Sequence, residues 1–241
     1  MRYAVISDIH GNIDALEVVI ADATAEGVDQ FICLGDIVGY GGAPNECVDR
    51  VRRLTTFVIA GNHDFAVCGK TDLTYFNPYA LLAVEWTAEV LEEQHLQYIA
   101  SLHLMLRKGS TVFVHSSPLD PASWGYILSP MDAKVGFDHF QGRVCFIGHS
   151  HIPAVFVERA GVVESQNNFE FSLEDGARYI VNVGSVGQPR DGDPRASYAI
   201  YDEGRGIVCV KRVEYNVGLA QKRILSAGLP PVLAHRLAVG K

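Results

Sequence analysis

Short apolar runs that end in clusters of polar residues constrain the fold of this chain more than any other feature of its sequence. The run at residues 56–60, Thr-Phe-Val-Ile-Ala, is rich in β-branched and aromatic residues and predicts a buried strand. It is followed at once by Gly61-Asn62-His63-Asp64. Buried polar side chains are costly unless they have partners, so such a cluster indicates either a turn or a binding site. For this stretch alone, the simpler interpretation is a turn closed by glycine and asparagine, with Asp64 capping the next element.

Four other apolar runs end in the same way, which favours a binding site over a set of unrelated turns. Each run is a predicted strand, and the polar residues that follow are Asp8 and His10 after 2–7, Asp36 after 30–34, His115 after 111–114, and His149 and His151 after 143–147. The remaining four histidines lie outside this arrangement and are predicted to be ordinary core or surface residues. They are His95, His103, His139 and His235.

The first 64 residues alternate between predicted strands and predicted helices. The first helix follows Asn12, a residue suited to the N-cap, and ends before Gly27, while the second begins at Pro44 and ends near Leu54. Alternation of this kind predicts an α/β fold with a parallel sheet. Because open α/β sheets bind ligands at the carboxyl ends of their strands, we expect the polar clusters to share one edge.

The rest of the chain has a different pattern. Residues 65–110 predict two helices, one that begins at Pro78 after Asn77 and one at about 94–102. This region is either a helical pair packed on the core or a cap-like insertion that shapes the site. After residue 151, short strands without intervening helices predict antiparallel pairing, and residues 216–241 predict a C-terminal helix and tail. No linker divides the chain, so residues 1–241 are predicted to form a single domain.

Composition narrows the classes of function. The formal net charge of −8 offers no basic surface for a nucleic-acid backbone, so no sequence-specific nucleic-acid partner is expected. No apolar run approaches the ~20 residues of a membrane span, and cleavage of a signal peptide would remove Asp8, so neither membrane insertion nor export is expected. The five cysteines are odd in number and irregular in spacing, which predicts reduced thiols and a cytoplasmic location.

The residue types in the clusters are those that bind divalent metals. Residues two apart in an extended strand project to the same face, so Asp8 with His10, and His149 with His151, are expected to act as pairs. Carboxylate, imidazole and amide donors without cysteine suit Mn, Fe, Zn, Co or Ni. The candidate ligands are too many for one ion, but two ions that share a carboxylate would use them all. These candidates are Asp8, His10, Asp36, Asn62, His115, His149 and His151.

In order and spacing, the polar clusters resemble the motifs of the calcineurin-like metallophosphoesterases. The resemblance runs from Met1 to about Glu214, and the segments 115–118 (His-Ser-Ser-Pro) and 182–185 (Asn-Val-Gly-Ser) are similar to the small bacterial and archaeal phosphodiesterase branch. It implies an α/β fold, specifically a four-layer αββα sandwich of two mixed β-sheets flanked by helices. It also implies a dimetal site at the C-terminal ends of the strands.

The resemblance further implies a role for each polar residue. His63 would be the catalytic histidine that donates a proton to the leaving group, with Asp64 as its orienting partner. The implied reaction is hydrolysis of a phosphodiester or phosphoanhydride bond, by a hydroxide that bridges two divalent ions, with manganese as the first choice. The implied substrate is a small phosphorylated molecule, with nucleotides among the candidates. The ligand sets would be Asp8, His10, Asp36 and His151 for one ion, and Asp36, Asn62, His115 and His149 for the other, with Asp36 as the bridge.

One segment departs from the pattern of the protein-phosphatase branch. There, and in the related symmetrical diadenosine tetraphosphatases, the Gly-Asp motif is followed by a segment ending in Arg-Gly, whose arginine clamps phosphate. Residues 35–41 read Gly-Asp-Ile-Val-Gly-Tyr-Gly, so a phosphoprotein substrate is not favoured. Tyr40 is either a replacement for that clamp or a packed aromatic residue. Arg190 is either a clamp or part of a hairpin loop rich in turn residues.

Two alternatives to a broad phosphodiesterase stay open at this stage. A dinucleoside polyphosphate hydrolase, acting for example on diadenosine tetraphosphate, would use the same residues. A non-catalytic scaffold, similar to the retromer subunit that shares this fold, has no need of a complete ligand set together with His63, so the sequence favours an enzyme. The sequence makes no prediction of the oligomeric state.

Overall fold

The computed structural model describes all 241 residues of the chain. It contains eight α-helices: α1 (Ile13–Ala25), α2 (Pro44–Leu54), α3 (Asn62–Val67), α4 (Pro78–Val90), α5 (Glu93–Ala100), α6 (Pro130–Phe137), α7 (Val217–Ser226) and α8 (Pro231–His235). The eleven strands are β1 (Arg2–Ile6), β2 (Gln30–Cys33), β3 (Met105–Lys108), β4 (Thr111–Val114), β5 (Val144–Ile147), β6 (Ala154–Arg159), β7 (Val162–Gln166), β8 (Glu170–Ser172), β9 (Arg178–Asn182), β10 (Ala196–Asp202) and β11 (Ile207–Val213). Two short 3₁₀ helices lie at Pro121–Ser123 and Arg236–Val239.

The strands form two mixed sheets. The first has the order β2-β1-β10-β11-β8, in which only β1 and β2 are parallel. The second has the order β3-β4-β5-β9-β6-β7, with β4, β5 and β9 parallel and the other pairs antiparallel. The expected parallel sheet is therefore divided between two sheets: β10 pairs with β1 in the first sheet, and β9 pairs with β5 in the second.

The two sheets pack face to face, with helices on both outer faces. Phe146 of β5 contacts Tyr201 of β10, with ring centroids 5.3 Å apart, within a buried cluster drawn from both sheets. Buried residues of α1 and α2 pack on the first sheet, and α6 packs on the second through Ala133 and Phe137. The layers are thus helix, sheet, sheet, helix, and the predicted four-layer sandwich is confirmed.

Local sequence accounts for the helices that the core requires. The Asn12 side chain accepts a hydrogen bond from the Ala15 N–H at 3.1 Å, which caps α1. The Asn77 side chain likewise caps α4, which begins at Pro78 as predicted. In α1 the buried positions fall at helical spacing and are Ala15, Leu16, Val19, Ile20 and Ala23.

The segment 56–60, predicted as a strand, forms only two isolated parallel bridges. Val58 pairs with Cys33 and Ile59 pairs with His103. The ladder stops there because α3 begins at Asn62, which removes the backbone from the sheet. Within 65–110 the structure also adds β3, an edge strand beside β4 that helical spacing did not reveal.

Residues 65–110 contribute both to the buried core and to the border of the cavity, through different segments. Val84 and Leu91, from α4 and its C-cap, and Ile99 of α5 lie in the same buried cluster as α1 and α2. The connection at 70–77 borders the cavity described below. In the region predicted as helix and tail, α7 and α8 pack against Tyr40 in a separate apolar cluster.

Two expectations from composition can be compared with the structure. None of the eight helices is both long and apolar enough to cross a membrane. All five cysteines are free; those at positions 33, 47 and 145 are buried, whereas Cys68 and Cys209 are partly exposed.

Candidate metal centre

The charged and imidazole residues predicted as metal ligands meet at one end of the sandwich, in two groups that share Asp36. The donor atoms within each group lie within 4.8 Å of one another, and all of the residues are buried. One group is Asp8, His10, Asp36 and His151, and the other is Asp36, His115 and His149. His149 and His151 therefore belong to different groups, so the expectation that they act as a pair is wrong.

Left-handed backbone brings most of these side chains together. Five of the residues have positive φ, namely Asp8 (54°), His10 (51°), Asp36 (50°), His149 (66°) and His151 (61°). Asp and His tolerate this region better than most residues, but each such conformation still costs of order 1–3 kcal/mol. The expected extended geometry of Asp8 and His10 is thus incorrect, although the two side chains do converge.

His10 and His151 turn their Nε2 atoms toward each other. The Nδ1 atoms donate hydrogen bonds to the carbonyl oxygens of Val38, at 3.0 Å, and Gln188, at 2.6 Å. A carbonyl oxygen can only accept, so each Nδ1 carries a hydrogen, and the two Nε2 atoms are 3.1 Å apart. In two neutral rings of this tautomer, the facing lone pairs repel unless a cation lies beside them. Hydrogen bonds of this type also fix the orientation of metal-binding imidazoles.

Each carboxylate uses one oxygen for the backbone and keeps the other for the centre. Asp36 Oδ1 accepts the His63 N–H at 2.8 Å, while Oδ2 lies 3.5 Å from His10 Nε2 and 3.4 Å from His115 Nε2. Asp8 Oδ2 accepts the His149 N–H at 3.0 Å, and Asp8 Oδ1 is buried without a hydrogen-bond partner. Asp36 Oδ2 is therefore placed between the two groups, as a bridging ligand requires.

The second group offers three further donor atoms. His115 Nδ1 donates to the Leu34 carbonyl at 2.9 Å, which leaves its buried Nε2 without a partner. His149 Nε2 donates to the Trp124 carbonyl at 2.8 Å, which leaves Nδ1 with the lone pair. Asn62 Oδ1 is also buried without a partner. Orphaned buried polar atoms are rare, so these oxygens and nitrogens fit a pair of bound cations.

The titration behaviour reflects the concentration of charge. Burial opposes ionisation of Asp36, but His115 and His63 outweigh it and hold the pKa of that carboxyl below its usual value. Burial also opposes the charge on His115, yet Asp36 and Asp8 raise its pKa to about 9. Burial lowers the pKa of His149 to about 4 and of His151 to about 3. The last two imidazoles are therefore neutral, as metal ligands must be.

His63 lies beside this centre in an aromatic enclosure. Its ring centroid is 4.9 Å from that of His10, 4.5 Å from Tyr40 and 5.0 Å from Phe76. Its Nδ1 is buried and has no hydrogen-bond partner. Burial and the neighbouring His10 and Arg190 charges lower the pKa of His63 well below the usual value, against the opposing effect of Asp36.

Asp64 makes no hydrogen bond to the His63 ring, so it does not orient the imidazole by the direct bond that an orienting partner would supply. Asp64 Oδ1 accepts the N–H groups of Ile37 and Val38 at 3.0 and 3.3 Å, and Oδ2 accepts the Gly61 N–H at 3.1 Å. These bonds cap α3 and fasten the 36–38 loop to it. Burial, reinforced by the charge of Asp36, raises the pKa of Asp64 to about 7.

A cavity of about 690 Å³ opens onto both metal groups. Arg190 borders it half-buried, bonded to Gln188 Oε1 at 2.8 Å, and its guanidinium lies 5.5 Å from the Tyr40 ring. Tyr40 is only 4% exposed, so its ring is a packed aromatic residue that also borders the cavity. No carboxylate pairs with Arg190, because none of the ion pairs of the chain includes it.

Sequence reasoning missed the residues that complete the cavity wall. Trp124 and Tyr126 follow β4 in an irregular loop, and Phe76 precedes α4. Such positions carry no periodic signal and come together only in the tertiary structure. A signal that could have found the first two is the pair of aromatics nine and eleven residues after His115, in a loop that leaves a strand bearing a candidate ligand.

Comparison with known proteins agrees with this geometry. A model of the calcineurin-like phosphoesterase superfamily domain matches residues 1–206. An uncharacterized protein of Methanocaldococcus jannaschii is 40% identical over 99% of this chain and 98% of its own length. The crystal structure of a metallophosphoesterase from Sphaerobacter thermophilus has 43% identity and a TM-score of 0.87, and covers 100% of this chain and 99% of that one.

A more distant structure shows the same fold. The crystal structure of a hypothetical protein from Pyrococcus horikoshii is 21% identical, with a TM-score of 0.79 and coverage of 100% of this chain and 98% of that one. The family match spans well over half of the chain, and the two near relatives align over nearly all of it. With its two mixed sheets and its Asp/His groups at the strand ends, this chain belongs to the calcineurin-like phosphoesterase superfamily.

Proposed function

We propose that this protein hydrolyses phosphodiester or phosphoanhydride bonds in small substrates, with two divalent ions held at the centre described above. The observation that carries the proposal is the position of Asp36, whose Oδ2 lies between His10 and His115 at the floor of an open cavity. Buried donors with no protein partner, together with an adjacent histidine, serve a reaction rather than the stability of the fold.

The donor set suits two similar ions. Asp8, His10, Asp36 and His151 would hold one, and Asp36, Asn62, His115 and His149 would hold the other. Oxygen and nitrogen donors without sulfur fit manganese, which we propose as the native metal, as well as Fe, Zn, Co or Ni. When bound, such ions supply an activated water and neutralise charge on the phosphoryl oxygens.

His63 is proposed as the catalytic acid. It lines the cavity beside both groups, and the aromatic rings around it leave little freedom to its imidazole. In the protein without substrate, the lowered pKa of His63 makes its ring neutral at pH 7. A phosphoryl anion in the cavity would raise that pKa, because an opposite charge nearby favours the imidazolium. His63 would then donate its proton to the leaving oxygen.

Asp64 is proposed to position that acid through the backbone rather than by direct contact. Its carboxylate joins the start of α3, where His63 lies, to the 36–38 loop beside Gly39 and Tyr40. Loss of these bonds would allow the loop and the helix to move apart. Asp64 therefore maintains the enclosure of the imidazole.

Arg190 and Tyr40 are proposed to contact the substrate. The guanidinium has no carboxylate partner and faces a cavity that also contains His63 and His151. With no arginine directly after Asp36, the site lacks a second fixed partner for a dianionic phosphate. A diester or internal polyphosphate link carries less charge at the reacting phosphorus, so it is the favoured substrate.

We propose that residues 65–110 act in part as a cap, through the connection at 70–77 that borders the cavity. Residues 216–241 would complete the single domain, and they share an apolar cluster with Tyr40. Five free thiols fit a reducing compartment, so the cytoplasm is the proposed location.

A dinucleoside polyphosphate hydrolase is the second candidate. It is favoured by the size of the cavity, about 690 Å³, which is larger than a simple phosphodiester needs. The deciding experiment is reconstitution with Mn²⁺ and other divalent ions, followed by a panel of monoesters, diesters, dinucleoside polyphosphates and phosphopeptides, with the products resolved by chromatography. Absence of hydrolysis across the panel at saturating metal would leave a binding scaffold and contradict the proposal.

A further inference from the structure

Besides Tyr40, four aromatic side chains border the cavity, and two of them are open to solvent. Tyr75 is 90% exposed and Tyr126 is 52% exposed, while Phe76 and Trp124 are half-buried. A single exposed tyrosine is ordinary on a protein surface. Two exposed tyrosines at one cavity, beside the rings of Phe76 and Trp124, concentrate flat apolar surface in one place.

The ring of Tyr126 has one face covered and one face free. It stacks on the imidazole of His149, with centroids 4.1 Å apart and planes inclined by 17°. Because half of the side chain is exposed, the opposite face is accessible. A planar group on that face would lie one stacked ring farther from the metal groups than Tyr126 itself. That separation suits a base joined through its sugar to a phosphate at the centre.

The two walls that carry these rings are tied together. Trp124 Nε1 donates to Thr71 Oγ1 at 2.7 Å, and the Trp124 ring meets Phe65 edge to face, with centroids 6.0 Å apart. Residues 70–77 and the loop after β4 are thus joined across a long sequence separation. Trp124 and the segment that carries Tyr75 are therefore connected before a ligand arrives.

The charged side chains around the cavity differ in their partners. Lys70 and Asp72 lie on the same segment as Tyr75 and carry opposite formal charges. Arg190 borders the cavity near His63 and His151, whose pKa values its charge lowers, and it has no carboxylate partner. An anionic chain would be held by Arg190, and a neutral planar group would lie on the exposed rings of Tyr75 and Tyr126.

We propose that Tyr75 and Tyr126 form a stacking subsite for the base of a nucleotide whose phosphate is cleaved at the metal centre. This inference rests on the proposed function and specifies its substrate class as nucleoside phosphate esters or anhydrides. Stacking on aromatic side chains accepts any base, because every base has a π-face. The subsite therefore selects nucleotides over simple phosphates without choosing among bases.

The test compares two diesters that share a leaving group. Thymidine 5′-(p-nitrophenyl) phosphate has a base, and methyl p-nitrophenyl phosphate does not. In the metal-reconstituted protein, we expect kcat/KM for the nucleoside ester to exceed that for the methyl ester by about tenfold or more. Tyr75→Ala and Tyr126→Leu should each reduce this ratio by about tenfold, mainly through KM of the nucleoside ester.

Controls separate stacking from a general effect. Tyr126→Phe should keep the ratio, because the ring and not the hydroxyl makes the stack. Tyr79→Ala removes an exposed tyrosine outside this cavity and should leave the ratio unchanged. Metal content is measured in each variant, since Tyr126 touches His149. Equal kcat/KM for the two esters in the wild type, or an equal change in the ratio for Tyr79→Ala, would overturn the subsite.

A binding measurement keeps this inference separate from the proposed reaction. If neither ester is hydrolysed, the proposed function fails, and calorimetric titration with AMP and with inorganic phosphate then decides about the subsite. Tighter binding of AMP, lost in Tyr75→Ala, would support it. Equal affinity for AMP and inorganic phosphate would overturn it.

Discussion

The backbone of Gly39 lies directly against the imidazole of His63. A Cβ at position 39 would come within 2.5 Å of His63 Nδ1 and 3.0 Å of its Cγ, and the φ of Gly39 is +89°. The rings of Tyr40 and Phe76 enclose other sides of the same imidazole. The absence of a side chain at Gly39 is therefore part of what positions the proposed acid.

Gly39→Ala should displace His63 and lower kcat by about 10²-fold, because a shift of about 1 Å in a catalytic group can cost that much. Metal content should be retained, since His63 is not among the proposed ligands. Steady-state kinetics and elemental analysis of the same preparation would measure both. Gly161→Ala is the matched control, with a φ of +81° and no atom within 4 Å of the added Cβ. Equal losses of activity in the two variants would indicate backbone strain rather than displacement of His63.

The metal groups predict two divalent ions per chain after reconstitution. Asp36→Asn should weaken both sites, because Asp36 Oδ2 faces both groups. Elemental analysis after dialysis would count the ions. Asp138→Asn, at an exposed position after α6, should leave the count at two. A single ion in fully active protein would contradict the dimetal assignment.

Removal of the metals should destabilise the fold. The buried carboxylates of Asp8 and Asp36 then lie 3.7 and 3.5 Å from His10 Nε2 without a cation between them. At a free metal concentration of 100 Kd, each bound ion adds about 2.7 kcal/mol, or roughly 5–10 °C in Tm per ion for a chain of this size. Thermal unfolding with Mn²⁺ and with chelator would measure the shift. No shift in wild type, or the same shift in Asp36→Asn, would be inconsistent with cations bound there.

His63→Ala should lower kcat by about 10²–10⁴-fold for esters with a poor leaving group, because acid catalysis is lost. Leaving groups of low pKa need no proton and should lose much less. Metal content should stay at the wild-type value. His139→Ala replaces an exposed histidine at the end of α6 and serves as the control. Equal losses for good and poor leaving groups would contradict the acid role.

Substrate preference should follow the charge at the reacting phosphorus. We expect bis(p-nitrophenyl) phosphate or a dinucleoside polyphosphate to be cleaved with higher kcat/KM than p-nitrophenyl phosphate or a phosphopeptide. Arg190→Ala should reduce kcat/KM for the dinucleotide by roughly 10–100-fold, as for loss of a hydrogen bond to a charged group. The small diester should lose less, because it has no distal phosphate.

Arg205→Ala is the control for that variant, since Arg205 is exposed in the turn before β11. A preference for the monoester would contradict the substrate class. A uniform loss across all substrates in Arg190→Ala would show that the arginine maintains the loop instead of binding phosphate.

Several features of the fold followed from local pattern. The start of α4 was anticipated from Asn77 and Pro78, because a side-chain cap and a proline act within one helical turn. The predicted strand at 56–60 forms only two isolated bridges, because pairing there depends on Cys33 and His103 and not on β propensity. Edge strands such as β3 and β7 lacked a clear signal, since only one neighbour stabilises them.

The sequence by itself determined which side chains meet at the centre, because strands of a sandwich that end in polar residues bring those residues to one edge. The family resemblance implied two ligand sets, but the extended geometry expected of each strand end did not. Only the tertiary structure decided how the backbone directs these side chains: left-handed residues place His149 and His151 in different groups, and backbone N–H groups take both carboxylate oxygens of Asp64. The tertiary structure also determined the walls of the cavity, because Tyr75 and Tyr126 lie in loops whose positions depend on contacts between distant segments.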